Sequence, residues 1–240
     1  MDTKLVVDAG NTRLKLGVFI NSQLREIEVF TDEESLSRKL ADFPGTCKII
    51  ITNVGAWELH SAVARFEQTL WLSTQTPLPY EMAYQTPETL GNDRRALAAA
   101  AMAEFPAKNV LVIDMGTCVT YDLLDAKNIF RGGAIAPGLS MRLKSMKHFT
   151  ANLPLIDYAP GMPVELVGNT TAKAMLSGAV LGLQAEVEKI IEWYNVRFDD
   201  LQVVLTGGDH LLLAHLTKNG IFARPNFLLT GLHYILESNA

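Results

Sequence analysis

The chain has 240 residues, 48% apolar and 20% charged, a globular composition with enough apolar material for a sizeable core or two modest lobes. Its net charge of -5 argues against a nucleic-acid partner, which calls for a basic face, and any anionic ligand must be held by local positive charge or backbone N–H groups. Two cysteines, Cys47 and Cys118, form neither a metal-ligand spacing nor a disulfide framework, so a reducing compartment is the default.

The first residues carry no apolar region followed by a small-residue cleavage site, and no window reaches about 18 uninterrupted apolar residues. The expectation is a cytoplasmic protein with no membrane partner. Leu5, Val6 and Val7 make a short β-type run that stops at Asp8-Ala9-Gly10-Asn11-Thr12. A second run over 14–20 alternates and turns at Asn21-Ser22, giving a hairpin, with a third strand predicted over 26–30. The spacing then predicts a helix over 35–40 capped by Thr31 or Asp32, a strand over 48–52 and a helix over 57–69. Residues 73–89, rich in Thr, Pro and Gln, read as loop, and 96–105 read as a helix closed by Pro106.

The opening pattern then returns. Val110 to Ile113 form an apolar run ending in Asp114-Met115-Gly116-Thr117, followed by a strand over 119–124 and a turn over 125–128. A duplicated strand–loop–strand unit at this separation suggests two similar lobes rather than a solenoid, whose period is about 20–50 residues. Gly132-Gly133 and an Ala136-Pro137-Gly138 turn follow, then helices over 140–149 and 171–194, a strand over 202–205, Gly207-Gly208 and a last helix over 230–237.

A carboxylate at the end of a buried strand, followed by glycine and threonine, suits a phosphate and metal site. Glycine admits close backbone approach, successive N–H groups and a hydroxyl donate to phosphate oxygens, and the carboxylate binds Mg²⁺ as a hard ligand. One such loop is equally well a plain turn; two in the same context favour function. Lys15 offers a point charge for phosphate or is a solvated strand lysine. Gly207-Gly208 suits approach of an adenosine or is a turn. Asp93, in Gly91-Asn92-Asp93-Arg94, either caps a helix or accepts the proton of an attacking hydroxyl, with Arg94 gripping a substrate carboxylate. The five histidines show no metal pair and read as structural, and the apolar stripe over 176–191 is core or a dimer helix.

Taken together, Asp8 to Lys15, Gly91 to Arg94, Asp114 to Thr120, Gly132 to Leu139 and Thr206-Gly207-Gly208 resemble the type III pantothenate kinase family in order and spacing along essentially the whole chain. The resemblance implies an α/β protein of the acetate and sugar kinase/actin-like ATPase fold, with ribonuclease-H-like lobes over 1–108 and 109–240 and a nucleotide cleft between them. It implies ATP-dependent phosphorylation of the primary hydroxyl of pantothenate, the first step of coenzyme A synthesis, in a homodimer. By the same resemblance Asp8, Ala9, Gly10, Asn11, Thr12, Arg13, Leu14 and Lys15 form the first ATP loop, with Thr117 a further ATP contact. Asp93 is the proton acceptor, and Tyr84, Gly91, Asn92, Arg94 and Thr171 surround pantothenate. Asp114 holds a monovalent cation, K⁺ or NH₄⁺, and Asp8 serves Mg²⁺. Cys118 stands where many relatives have a small residue such as alanine, and a compact cysteine leaves the loop unchanged. Two competing expectations are a kinase of the same fold for another small alcohol and a regulatory accessory protein.

Overall fold

A computed structural model describes residues 2–159, 161–216 and 220–240, with backbone alone at 214–216. The chain forms two compact units. The first comprises Met1–Pro106, Asn128–Phe130 and Asn226–Ala240; the second comprises Ala107–Lys127 and Arg131–Pro225.

The first unit is built on a sheet of β1 (Thr3–Ala9), β2 (Leu14–Ile20), β3 (Gln23–Phe30), β4 (Lys48–Asn53) and β5 (Gln68–Trp71), in the order β3-β2-β1-β4-β5. The first three strands run as an antiparallel meander, and β4 and β5 lie parallel to β1 on its other side. Asn21 and Ser22 join β2 to β3 with φ of 49° and 61°, the left-handed pair that a two-residue hairpin turn demands. α1 (Glu33–Leu40) is capped by Asp32, whose Oδ1 accepts from the Ser35 N–H at 2.7 Å. Together with α2 (His60–Val63) it covers a core of Leu5, Val7, Leu16, Ile49 and Ile51.

α3 (Asn92–Glu104) and α7 (Phe227–Ser238) pack together, and α7 also packs on β1 and β4. Gly231 makes this crossing possible: a Cβ there would enter the Ala96 carbonyl. A two-residue strand, β6 (Glu81–Met82), pairs with Ile129 and Phe130.

The second unit repeats the arrangement. β7 (Val110–Met115), β8 (Cys118–Leu124) and β9 (Ile129–Pro137) stand as neighbours, and β10 (Gln202–Thr206) and β11 (Ile221–Ala223) run parallel on the other side of β7. α4 (Leu139–His148), α5 (Thr171–Leu176), a π-helical stretch over Ser177–Leu181 and α6 (Gly182–Arg197) bury Leu139, Leu143, Leu183, Val187 and Ile191 against this sheet. The stripe over 176–191 is therefore core of this unit.

Two local expectations give way. The helical spacing over 57–69 is real only in its first part: Leu59, Ala62, Val63 and Phe66 bury, but the helix stops at Val63 and the chain becomes β5, satisfied by pairing with β4. The glycine segment and the Ala136-Pro137 turn are instead the nine-residue strand β9. Gly133 belongs there because its backbone lies against the Tyr121 carbonyl, where a Cβ has no room.

Candidate active site

Each unit carries one aspartate hairpin. In the first, Asp8 is paired with Lys15 across β1 and β2 and with Thr52 across β1 and β4. The loop over 10–13 is closed by the Gly10 N–H donating to the Arg13 carbonyl at 3.0 Å. It is anchored from outside: the Val54 N–H donates to Ala9 O at 3.0 Å and the Trp57 indole Nε1–H to Gly10 O. Asn11, Thr12 and Arg13 stay exposed at the tip, while Ala9 and Leu14 are buried and hold its base.

Asp8 is half-buried. Burial pushes its carboxyl up to about 6; the Lys15 charge opposes that rise and the Asp93 charge adds to it.

Asp93 is set by α3, which begins at Asn92 rather than at the predicted 96 and so takes Asp93 and Arg94 into its first turn. Gly91 is the N-cap and has no side chain to offer, so Asp93 does the capping: its Oδ1 accepts from the Arg94 N–H at 2.8 Å. Gly91 lies directly under that oxygen, and a Cβ there would strike it. Asn92 turns back to donate to Leu72 O at 2.8 Å. Arg94 is 5% exposed, its guanidinium over the Tyr84 ring at 5.6 Å and the Phe130 ring at 6.0 Å. Tyr84 is thus brought onto Arg94 beside Gly91 and Asp93, while the Asn92 amide turns away to Leu72.

In the second unit Asp114 pairs with Thr120 on β8 and Thr206 on β10. The loop is tighter, closed by the Gly116 N–H donating to Cys118 O at 2.9 Å, with Thr117 exposed at its tip. Gly138 rests on the Gly116 and Thr117 carbonyls, which brings the N-terminus of α4, lacking a side-chain cap, up to this loop. Gly207, at φ 87°, sits against Asp114 Oδ1 and the Met115 carbonyl, and the Asp209 N–H donates to Met115 O at 3.0 Å. Thr171 is the exposed first residue of α5, following the Thr170 cap.

Cation fit follows from the oxygen donors. Thr52 Oγ1 and Asn53 Oδ1, beside Asp8 and Ala9 in the register, are buried without a hydrogen-bond partner, as is Thr120 Oγ1 opposite Asp114. Carboxylate, hydroxyl and amide oxygens are the donor set of hard cations. Among the described residues no three His, Cys, Asp or Glu side chains form a metal-binding group.

The residues matched by the family model for type III pantothenate kinase run from 4 to 193. The chain belongs to the type III pantothenate kinase family. A type III pantothenate kinase of Christiangramia forsetii is 44% identical over 243 residues, covering 98% of both chains. A Campylobacter jejuni structure described as a conserved Baf family transcriptional activator aligns with TM-score 0.64 at 20% identity, covering 98% of both. The polyphosphate/ATP-glucomannokinase of an Arthrobacter strain aligns with TM-score 0.50 at 11% identity over 100% of both. At such identities these two structures establish the fold alone, that of the actin-like ATPases and sugar kinases. Membership of the pantothenate kinase family implies use of ATP with a divalent metal.

No helix among the described residues is long and apolar enough to cross a membrane. His233 stacks on Phe19, His60 packs tilted against Trp71, His148 meets Phe149 edge-on and His210 Nδ1 meets Gly207 O at 2.6 Å, while the His215 side chain lies outside the described residues. Sequence reasoning passed over Thr52, Asn53, Trp57, Arg95 and Phe130. The one available signal was Asn53-Val54-Gly55, a polar and glycine stop after a buried strand.

Proposed function

We propose that the protein transfers the γ-phosphoryl group of ATP to the primary hydroxyl of pantothenate, the first committed phosphorylation on the route to coenzyme A. The observation that carries this reading is Asp93 in the first turn of α3, its Oδ1 accepting from the Arg94 N–H at 2.8 Å over Gly91 and beside the buried Arg94, in a chain of the type III pantothenate kinase family.

In this reading, which follows the family resemblance, Asp8, Ala9, Gly10, Asn11, Thr12, Arg13, Leu14 and Lys15 cradle the ATP phosphates, and Thr117 is a further ATP contact. Asp93 orients the hydroxyl and accepts its proton as the new oxygen–phosphorus bond forms and the bond from the γ-phosphorus to the bridging oxygen breaks, releasing ADP. Arg94 and Tyr84 hold the substrate carboxylate and its polar arm, with Gly91, Asn92 and Thr171 as further contacts. Asp8, Thr52 and Asn53 are the oxygens that would hold Mg²⁺, and Asp114 with Thr120 those that would hold K⁺ or NH₄⁺; these ions would neutralise charge on the transferring group. A homodimer belongs to the same reading, supported by the exposed apolar side chains of Leu166, Val167, Trp193 and Val196 in the second unit.

The test is ADP formation followed with and without pantothenate. ADP formation should depend on pantothenate, and Asp93→Asn should lower kcat by about 10²–10⁴-fold with little change in KM for ATP. Near-normal turnover by Asp93→Asn removes the proton-acceptor role. Transfer to another alcohol in preference to pantothenate removes the substrate.

A further inference from the structure

Arg95 is 2% exposed, deep at the start of α3, and among the described residues no carboxylate pairs with it. Its guanidinium instead donates to backbone: Nε–H to Leu90 O at 3.2 Å and an Nη–H to Pro87 O. Its own N–H donates to Gly91 O at 3.1 Å, and its carbonyl accepts from the buried Tyr80 hydroxyl at 3.0 Å. Three donors of one residue therefore end on the carbonyls of Pro87, Leu90 and Gly91, the stretch that delivers Asp93.

A buried cation without a counter-ion is a costly way to fill a helix position whose neighbours are alanines; an apolar side chain would pack there at no desolvation cost. What the guanidinium supplies is a rigid, planar fork that fixes two carbonyls at once. The strain path from that fork to the chemistry is short. Leu90 leads directly into Gly91, and Gly91 lies against Asp93 Oδ1 with no space for even a methyl group. A shift of the Leu90 carbonyl moves the seat of the Asp93 carboxylate.

We propose that Arg95 is a positioning residue for phosphoryl transfer, clamping the Pro87 and Leu90 carbonyls so that Gly91 seats the Asp93 carboxylate toward the attacking hydroxyl. This deepens the pantothenate kinase reading and rests on Asp93 as proton acceptor.

The experiment compares Arg95→Met, which keeps length and volume but no donor, and Arg95→Lys, which keeps charge but reaches one carbonyl. A misplacement of about 1 Å at a reacting group lowers turnover by roughly 10²-fold, the loss of kcat expected for Arg95→Met. Arg95→Lys is expected to recover part of that loss, and in both variants KM for ATP and the Kd of a fluorescent ATP analogue stay within about twofold. A purely structural role would move nucleotide binding and kcat together with Tm. The inference is overturned if folded Arg95→Met turns over within about threefold of the parent, or if kcat falls only in step with nucleotide affinity. Should Arg95→Met fail to fold, Arg95→Lys carries the test, and parental kcat in that variant overturns the inference. Asp93→Asn in the same assay separates the two claims: full activity there removes the acceptor, whereas loss there with a normal Arg95→Met removes only the clamp.

Discussion

In the first unit Asp8 ends β1 beside Thr52 of β4; in the second Asp114 ends β7 beside Thr206 of β10. A backbone N–H following the parallel strand then donates to the residue after the aspartate, Val54 to Ala9 O in one case and Asp209 to Met115 O in the other, each at 3.0 Å. A glycine follows each threonine closely, and each is pressed on its hairpin: Gly55 on Gly10 O, Gly207 on Asp114 Oδ1 and Met115 O. The plan is shared, yet the carboxylates are held differently. The first loop runs over 10–13, with Lys15 and Asp93 acting on Asp8; the second closes one residue sooner, over 116–118, with glycine packed on Asp114 itself. The same backbone device thus serves two charges: an open loop whose carboxylate is kept at high energy, and a closed one whose carboxylate is fixed in place.

The largest effect expected of this difference is catalytic. Asp8→Asn should lower kcat/KM by about 10³-fold, the scale of losing a principal electrostatic partner of the transferring group. Asp114→Asn should lower it by roughly tenfold, with part regained at high K⁺, as expected when a cation site is weakened rather than removed. Steady-state assays across K⁺ concentrations read both. Equal losses without K⁺ rescue would erase the proposed division of labour. Stability should move oppositely for Asp8. Its folded pKa, about 6, lies above the value of 3.8 for an unperturbed aspartate, so stability is lost as pH rises through that window. At pH 7.5 Asp8→Asn should therefore raise Tm by several degrees, about 1–3 kcal/mol, while activity collapses.

The two glycines make a second, smaller test. Gly207→Ala meets a positive φ and the Asp114 carboxylate together, and should destabilise by about 2–3 kcal/mol. Gly55→Ala meets the Gly10 carbonyl at 2.5 Å and the Trp57 ring at 2.8 Å without a φ penalty, and about 1–2 kcal/mol is expected. Thermal melts order the two. A larger loss for Gly55→Ala would make the first loop the more tightly built.

Both hairpins were legible in the sequence because each feature is local: an apolar strand, a carboxylate, glycine, and a strand returning within a few residues. The polar stretch Gly91-Asn92-Asp93-Arg94 stood out as a candidate for the same reason, although the helix that contains it starts earlier than its alanine run suggests. What stayed hidden depends on contacts distant in sequence. In the sequence β9 reads as a glycine turn, because the reason for Gly133 is the Tyr121 carbonyl on a neighbouring strand. Phe130 reaches Arg94 from more than thirty positions away, and Thr52 stands beside Asp8 only through parallel pairing. Likewise α7, an apolar run near the end of the chain, carries no mark that it covers the first sheet and packs on α3. The ions proposed for Asp8 and Asp114 rest on the family resemblance, since a carboxylate's spacing does not name its ion.

The smallest effect separates the frames that carry the two loops. β1 is pinned to α7 by Lys4, which pairs with Glu237 and with Asp2, and by His233, which stacks on Phe19 at a centroid distance of 4.0 Å. Burial holds the His233 imidazole below its ordinary pKa; Lys4 acts in the same direction, while Glu237 and Asp2 oppose it. The unfolded chain therefore takes up this proton first as pH falls. The contribution of neutral His233 is intact above the unfolded value near 6.5 and is lost as pH drops below it, with a slope bounded by about 1.4 kcal/mol per pH unit. Asp8 has the opposite sign over part of the same range, so the parent curve alone mixes the two. His233→Gln removes one titration and leaves the other. Denaturant melts of both proteins from pH 7.5 to 5.5 should give a stability difference that narrows toward acid, because only the parent pays for protonating the imidazole. A difference constant with pH would mean that His233 supports β1 by stacking alone, and the polar tie to α7 would then carry no pH response.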